Sequence, residues 1–462
     1  MNNNAVNITE DSRPSPLWLA FWAGADKVLP LIYGVAMVLI PLKTLPQNEW
    51  AIWTVTQMIF MIISIVADFF VLQPMVKLGS ETKSGIAPLI VASTIIYTLF
   101  CLTVTWVVIL FALPLETLFK TPNLSFAFPI MALMILSTII RNISIRILQI
   151  FYRIATIFIV DLAYFLPIVW LMYWGYSNNK LNNAELLINY NYYAFILSSL
   201  CGFFVCTPDI IRSLKSKTNN VRTRIRIKNE FITSFKKIIQ IGIHQGGTGI
   251  LTVLQQQGDV AIVSAIRGGT VAGIYNAARL FYRTFDAIRD AVQLLLVPAV
   301  SRANSTGKHE SVEAKAILAT ALLFVFFLPI TVSLIFLAPV IVDTIMPKYS
   351  TAVHEFQWLF TSGVAMPFII VPSAVLLGIG KSKELFYGTL IGTIILLLSG
   401  IILTWFEGSV GMAQGVSIGT FATAILLTQK MNEQIHFTLK SVLKQSKRLP
   451  AIFKQTIIDL TK

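Results

Sequence analysis

The chain has 462 residues, 55% of them hydrophobic and only 13% charged. A soluble domain carries about 25% charged residues, so this composition excludes a water-soluble globular protein and points to an integral membrane protein. A net charge of +14 would also suit a nucleic-acid binder, but membrane topology and anionic headgroups account for it, and no nucleic-acid partner is expected.

The first sixteen residues are polar, include Glu10 and Asp11, and lack the basic start and small-residue cleavage site of a signal peptide. The first span is therefore expected to stay in place. About twelve apolar stretches follow, each near the roughly 20 residues that a bilayer crossing needs. They fall at 20–42, 50–74, 86–112, 125–147, 156–176, 190–211, 238–264, 272–300, 315–340, 354–378, 384–405 and 409–430. With the N-terminus in the cytoplasm, about twenty-six Lys and Arg lie on that side, and only Lys43, Lys120, Lys180, Arg267 and Lys348 lie outside. This asymmetry predicts that both termini are cytoplasmic.

The early spans carry charges singly. Asp26 and Lys27 begin the first span, Asp68 ends a polar face of the second, and Asp161 comes early in the fifth. These lie where snorkelling to the interface is cheap. Arg141, deep in the fourth span between Ser137 and Ser144, requires either a cavity or a nearby Asp. Cys101, Cys201 and Cys206 all fall inside spans, which argues against a disulfide framework. The four histidines are scattered, and no metal is predicted.

The longest polar interval between spans, from Ser213 to Phe235, is strongly basic and lies near the middle of the chain. The domain organisation predicted is an N-terminal six-helix lobe at 1–212, a basic cytoplasmic linker at 213–237, a C-terminal six-helix lobe at 238–430 and a basic amphipathic tail at 431–462. A faint internal echo, Asp68…Pro74 against Asp290…Pro298, supports two related halves. The fold class is thus all-α: a polytopic membrane protein of about 12 transmembrane helices, in two pseudo-symmetric six-helix lobes around a central cavity.

The seventh span places His244, Gln245, Thr248, Thr252, Gln255, Gln256 and Asp259 within about 60° of one line. A stripe of this kind predicts a cavity wall whose amides and hydroxyls suit sugar recognition. On the eighth, Tyr275, Asn276, Arg279, Tyr282, Arg283, Asp286, Asp290 and Gln293 share one face, with Arg289 at its margin. A charge at mid-membrane costs about 3 kcal/mol, so five facing lipid would cost on the order of 15 kcal/mol, as much as a domain's whole stability. They must face protein or water. Arg279, Arg283 and Arg289 outnumber Asp286 and Asp290, and that surplus would attract an anion, most naturally a diphosphate. Asp259, Asp286, Asp290, His244 and Asp161 are candidates for carrying a coupling H⁺ or Na⁺; no other cofactor is expected.

The outer loops are short, the longest at about 177–189, which argues against an enzyme working on external sugar chains. Gly411, Gly415 and Gly419 on the last span predict close helix packing. In the tail, Ile435, Leu439, Val442, Leu443, Leu449, Ile452, Phe453 and Ile457 recur at helical spacing among lysines, predicting an amphipathic helix on the inner leaflet.

Taken in order, several short motifs resemble the bacterial polysaccharide (O-antigen) flippases of the multidrug/oligosaccharidyl-lipid/polysaccharide exporter superfamily. They are Leu45-Pro46-Gln47-Asn48-Glu49-Trp50, Ala67-Asp68-Phe69, Gln257-Gly258-Asp259, Gly273-Ile274-Tyr275-Asn276-Ala277-Ala278, and Leu376 to Lys383 with Gly378 and Gly380. The resemblance covers nearly the whole chain. It implies a flippase of the bacterial cytoplasmic (inner) membrane that moves undecaprenyl-diphosphate-linked oligosaccharide by alternating access. It also implies a polysaccharide polymerase and chain-length proteins as partners beside membrane lipids. Phe70 and Trp50 depart from it, each standing where that family often has Gly, and both bear on local helix packing. The substrate-cavity residues expected are Arg141, Arg279, Arg283, Arg289, Tyr275, Asn276, Gln255 and Gln256. The alternative is an ion-coupled small-molecule or drug exporter of the same superfamily, whose cavity should be acidic or aromatic. Lipid II export is a nearer alternative, although the arginine-rich motif after the first span is missing. A membrane enzyme would need a large external loop or a catalytic His/Asp pair.

Overall fold

The computed structural model describes residues 16–81, 86–215, 221–306, 309–438 and 440–447. Among these residues the chain is all helix and turn, without a strand. In chain order the helices are α1 (Pro16–Leu39), α2 (Gln47–Ala67), α3 (Ile86–Leu110), α4 (Ala127–Ile150), α5 (Ile154–Ser177), α6 (Ala184–Lys215) and α7 (Val221–Arg267). After them come α8 (Gly269–Tyr282), α9 (Thr284–Ser305), α10 (His309–Ile345), α11 (Val353–Thr361), α12 (Pro367–Gly378), α13 (Ser382–Glu407) and α14 (Ser409–Asn432). Beyond Ala67, α2 continues through a π-helical turn, Asp68–Leu72, into Gln73–Glu81.

Eight helical segments among the described residues are long and apolar enough to cross a membrane. The bent pair Pro347–Ala365 and Pro367–Gly378, which meet at 45°, brings the number to nine. Of the remaining rods, α7 and α8 with α9 carry Gln, Asp and Arg along their length, and such helices are suited to lie against protein rather than lipid.

Four elements differ from the sequence expectation. The eighth span is two helices, broken at Arg283, and the tenth is α11 and α12, separated by the turn Ser362–Ala365. The basic interval at the centre of the chain is largely helical: α6 runs to Lys215 and α7 starts at Val221, because Lys, Arg and Glu are good helix formers in water. At 47 residues, α7 is about 70 Å long, more than twice a hydrocarbon core. The outer loop after α5 is also shorter than predicted. Asn183 caps α6 by accepting a hydrogen bond from the Leu186 N–H at 2.9 Å, and Glu49 on α2 accepts one from the Ala184 N–H at 2.8 Å.

Helices α1 to α6 pack largely on one another, as do α9 to α14, and α7 and α8 bridge them by packing on α2. The closest pairing is α13 with α14, where a Cβ at Gly415 would lie 2.4 Å from the Gly400 Cα, and one at Gly411 would lie 2.1 Å from the Leu403 carbonyl oxygen. Backbone contact of that kind is the role predicted for the glycine series. The same device holds α7 against α2. A Cβ at Gly242 would meet the Phe70 carbonyl oxygen at 2.1 Å, and one at Gly249 the Phe69 Cβ at 2.7 Å.

Hydrogen bonds between the first and second halves gather at one end of the bundle. Lys348 Nζ donates to the Thr44 and Leu45 carbonyls at 3.0 and 3.3 Å, and Gln47 donates back to the Lys348 carbonyl. Lys120 Nζ donates to the Ile266 carbonyl at 2.9 Å, and Ser264 Oγ to that of Phe119 at 3.3 Å. Next to Lys120, Glu116 on the short helix Ala112–Leu118 accepts from the Ser125 N–H at 2.8 Å and the Asn123 N–H at 3.2 Å. Hydrogen bonding by the Ser125 side chain, then by its backbone, holds the Glu116 carboxyl below the usual range.

At the other end the tail folds back. Ile435, Phe437 and Val442 are buried against Val300, Ala303, Val312, Ala316, Val371 and Val375 of α9, α10 and α12. Residues 440–447 are helical, and Thr438 Oγ1 accepts from the Ser441 N–H at 3.2 Å. Part of the apolar face expected to lie on lipid thus covers protein, while Leu443 is 51% exposed. Leu439, Leu449, Ile452, Phe453 and Ile457 lie outside the described residues.

Candidate functional site

One turn apart on α8, Tyr275 and Arg279 both reach Asp259 on α7. The Tyr275 hydroxyl donates to Asp259 Oδ2 at 2.8 Å, and Arg279 Nε lies 2.5 Å from the same oxygen. The Val260 N–H donates to Oδ1 at 2.8 Å. Arg279 Nη2 donates to the Gln256 carbonyl, while Nη1 is buried without a hydrogen-bond partner. Arg279 is 6% exposed and Asp259 4%. Asn276 on the same helix donates to Thr54 Oγ1 of α2 at 3.2 Å, and Trp50 Nε1 to the Gly273 carbonyl at 3.0 Å. Where periodicity predicts a cavity wall at Tyr275, Asn276 and Arg279, the structure has an interhelical network. Periodicity assigns a face to a helix, but it does not say whether water or another helix lies there.

The seventh-span stripe divides likewise. Gln255 donates to Thr393 Oγ1 of α13 at 2.9 Å, Gln256 serves Arg279 through its carbonyl, and Asp259 faces α8. The side chains of His244 and Thr248 lie outside the described residues.

Beyond the break, Arg289 Nη1 lies 3.1 Å from Asp286 Oδ1 and Nε lies 3.6 Å from Asp290 Oδ1, in a half-exposed group. Asp259 brings the charges on and beside the eighth span to three arginines against three aspartates. The positive surplus expected from that span alone is therefore cancelled by α7. Of Arg141, Arg279, Arg283 and Arg289, only Arg283 has no carboxylate within 4 Å among the described residues.

Arg283 occupies the break itself. Its N–H still bonds the Arg279 carbonyl, and its carbonyl accepts from the Asp286 N–H, each at 3.1 Å. Its half-buried side chain lies in electrostatic range of Arg279, Asp259, Asp286 and, across the halves, Tyr33 of α1.

Tyr33 connects this arginine to a second cluster, in the first half. The Tyr33 ring packs on that of Tyr164, 6.3 Å between centres, and the Tyr164 hydroxyl donates to Asn191 Oδ1 at 2.7 Å. Beside them Arg141 pairs with Asp161 and donates from Nε to Ser198 Oγ at 3.1 Å. The guanidinium lies 5.4 Å from the Tyr164 ring centre and 5.8 Å from that of Phe195, within cation–π range. Asp26 on α1 reaches the same cluster, in range of Asp161 and Arg141. Of the two alternatives for Arg141, an aspartate partner is present. Asp68 is likewise paired, with Arg146 at 2.6 Å.

A polar seam therefore runs from Asp26, Asp161 and Arg141 through Tyr164, Asn191 and Tyr33 to Arg283. Each described candidate for ion coupling is engaged by an arginine: Asp161 by Arg141, Asp259 by Arg279, and Asp286 and Asp290 by Arg289. The sequence does not single out Asn191 and Ser198; the two asparagines in the run Ile188-Asn189-Tyr190-Asn191 are the available signal. A guanidinium without a carboxylate, close to tyrosyl hydroxyls and partly shielded from water, is equipped to bind an oxyanion.

Residues 45–353 match the sequence profile of the family described as Polysaccharide biosynthesis protein. Among solved structures, the chain is similar to the lipid II flippase MurJ in an inward closed conformation. That likeness has a TM-score of 0.71 at 17% identity, covering 96% of this chain and 93% of that one. It is also similar to an inward-facing multidrug resistance MATE family transporter of the MOP superfamily, with a TM-score of 0.68 at 15% identity, covering 94% of this chain and 97% of that one. At these identities the likeness establishes the fold. No curated protein matches the sequence.

Proposed function

Because the chain belongs to the polysaccharide biosynthesis protein family, we propose that it is a flippase translocating undecaprenyl-diphosphate-linked oligosaccharide across the bacterial cytoplasmic (inner) membrane. It works by alternating access driven by H⁺ or Na⁺, without enzymatic chemistry on the cargo. The observation that carries this reading is Arg283, the intramembrane arginine set at a helix break, half-buried and without a carboxylate within 4 Å among the described residues. The guanidinium offers bidentate hydrogen bonds to a diphosphate oxygen pair in surroundings where water competes weakly. The half-buried Tyr33 hydroxyl, beside the closed Tyr164–Asn191 pair, suits the sugars.

The excess of basic residues on one side supports cytoplasmic termini. The end closed by Lys348, Lys120 and Gln47 is then the outer one, and the seam opens inward to receive the cargo. Flipped units would pass to a polysaccharide polymerase and chain-length proteins.

The test is Arg283→Ala, with Arg283→Lys beside it, in the native host. Surface polysaccharide should fall at least ten-fold in the Ala variant at normal protein level, with lipid-linked precursor accumulating inside; Lys should retain part of the activity. Unchanged polymer in the Ala variant refutes the assignment. The likeness to a MATE fold keeps a drug exporter as the second reading. That reading predicts raised resistance to cationic drugs on overexpression, which the cation at Arg283 opposes.

A further inference from the structure

We propose that Glu355 is a proton-binding carboxyl whose protonation is linked to closure of the Lys348 end of the bundle. This extends the alternating-access reading above by naming a group that senses pH at the outer end. Glu355 is 3% exposed and lies on α11, which follows directly from the segment Pro347–Ala352 that carries Lys348. The Ser409 hydroxyl, at the start of α14, donates to Glu355 Oε1 at 2.6 Å. The other oxygen, Oε2, is buried without a hydrogen-bond partner.

The charges around it are sparse. Among the elements packed on α11, α14 has no charged residue before Lys430, and Ser362–Ala365 has none. At this end α10 offers the exposed Asp343, the preceding segment offers exposed Lys348 and buried Tyr349, and α8 offers Tyr275, Tyr282 and Arg279. Arg279 is bound to Asp259, and Lys348 to the carbonyls of Thr44 and Leu45. No Lys, Arg or His among the described residues lies within ion-pair distance of Glu355. The nearest titratable side chain in sequence is His354, exposed on the same helix.

An ionised carboxylate with one hydroxyl donor and no cation is costly in such a place, and the neutral acid is much less so. Opening the Lys348 end admits water to the first turn of α11, where the carboxylate is stable. The proton leaves Oε2 for that water on opening and returns on closing. By linkage, acid favours the closed end and alkali the open one.

The experiment is a distance measurement on the full chain in lipid nanodiscs, using spin labels at Leu113→Cys and Phe406→Cys. Both positions are highly exposed, at 68% and 76%, and the three native cysteines are replaced by Ala. A single short distance is expected at acid pH, with a longer one growing in as pH rises. Glu355→Gln, which imitates the neutral acid and keeps the Ser409 bond, should hold the short distance throughout. Ser409→Ala removes the hydroxyl that steadies the ionised form and should raise the midpoint by about half to one pH unit. His354→Ala should move it by much less. A wild type whose distances ignore pH, or a Glu355→Gln variant that titrates like wild type, overturns the proposal. The measurement uses no cargo, so its failure leaves the Arg283 reading intact, and normal polymer in Arg283→Ala would leave this one standing.

Discussion

Arg279 and Asp259 allow a quantitative test of whether the polar face of α8 holds helices together. Arg279→Met keeps much of the side-chain stem but leaves Asp259, 6% exposed at its side chain, as a buried anion. Two donors remain to it, the Tyr275 hydroxyl and the Val260 N–H, so the loss should lie near the lower end of the 3–5 kcal/mol typical of a broken buried pair, at about 3 kcal/mol. Asp259→Asn strands the guanidinium instead. Arg279 Nη1 already has no hydrogen-bond partner in the wild type, so only the Gln256 carbonyl would then serve it, and the loss should approach about 5 kcal/mol. In the double variant no buried charge remains. The Asn oxygen still accepts from Tyr275, and the deficit should be about 1 kcal/mol or less. The coupling energy is then several kcal/mol, far outside the roughly 0.5 kcal/mol scatter of independent sites. Denaturant unfolding of the purified protein in mixed micelles, followed by tryptophan fluorescence, measures all four species. Additive losses would refute the reasoning and return Arg279 to the cavity wall.

Gly415→Leu should separate α13 from α14, because its Cβ would stand 2.4 Å from the Gly400 Cα. A loss of at least about 3 kcal/mol is expected, measured as reduced thermal stability in detergent, with Gly415→Ala less severe. Lys348→Met should weaken the outer closure by about 1 kcal/mol, since the ammonium is exposed and its two bonds to carbonyls are partly screened. That shifts the closed-to-open ratio roughly five-fold toward open in the distance measurement described for Glu355.

Helix positions were legible in the sequence because length and apolarity are local properties: each predicted span is helical, although the eighth and the tenth are each two helices. The glycine series on the last span gave its packing correctly for the same reason: small size at a four-residue interval acts wherever a neighbour lies. The break at Arg283 was not legible. It has no proline or glycine, and a charged stripe continues through it in sequence. Nor could one helix's own charges give the electrostatics of the eighth span. Asp259 lies twenty residues before Arg279 in the chain, and only the packing of α7 on α8 joins them. Glu355 escaped notice for the opposite reason. A single acid near the start of a span reads as an interfacial residue until burial is known.

Phe70 and Trp50, the two departures from the flippase resemblance, show how α2 accommodates bulk where another helix crosses it. At both places the residue facing it is itself glycine: Gly242 beneath the Phe70 carbonyl, and Gly273 beside the indole of Trp50. The demand for smallness thus belongs to the crossing point, and here α7 and α8 meet it. At Phe70 the atom in contact is the backbone oxygen, so Gly242 admits the α2 main chain while the ring turns away to Phe100, 6.4 Å between centres.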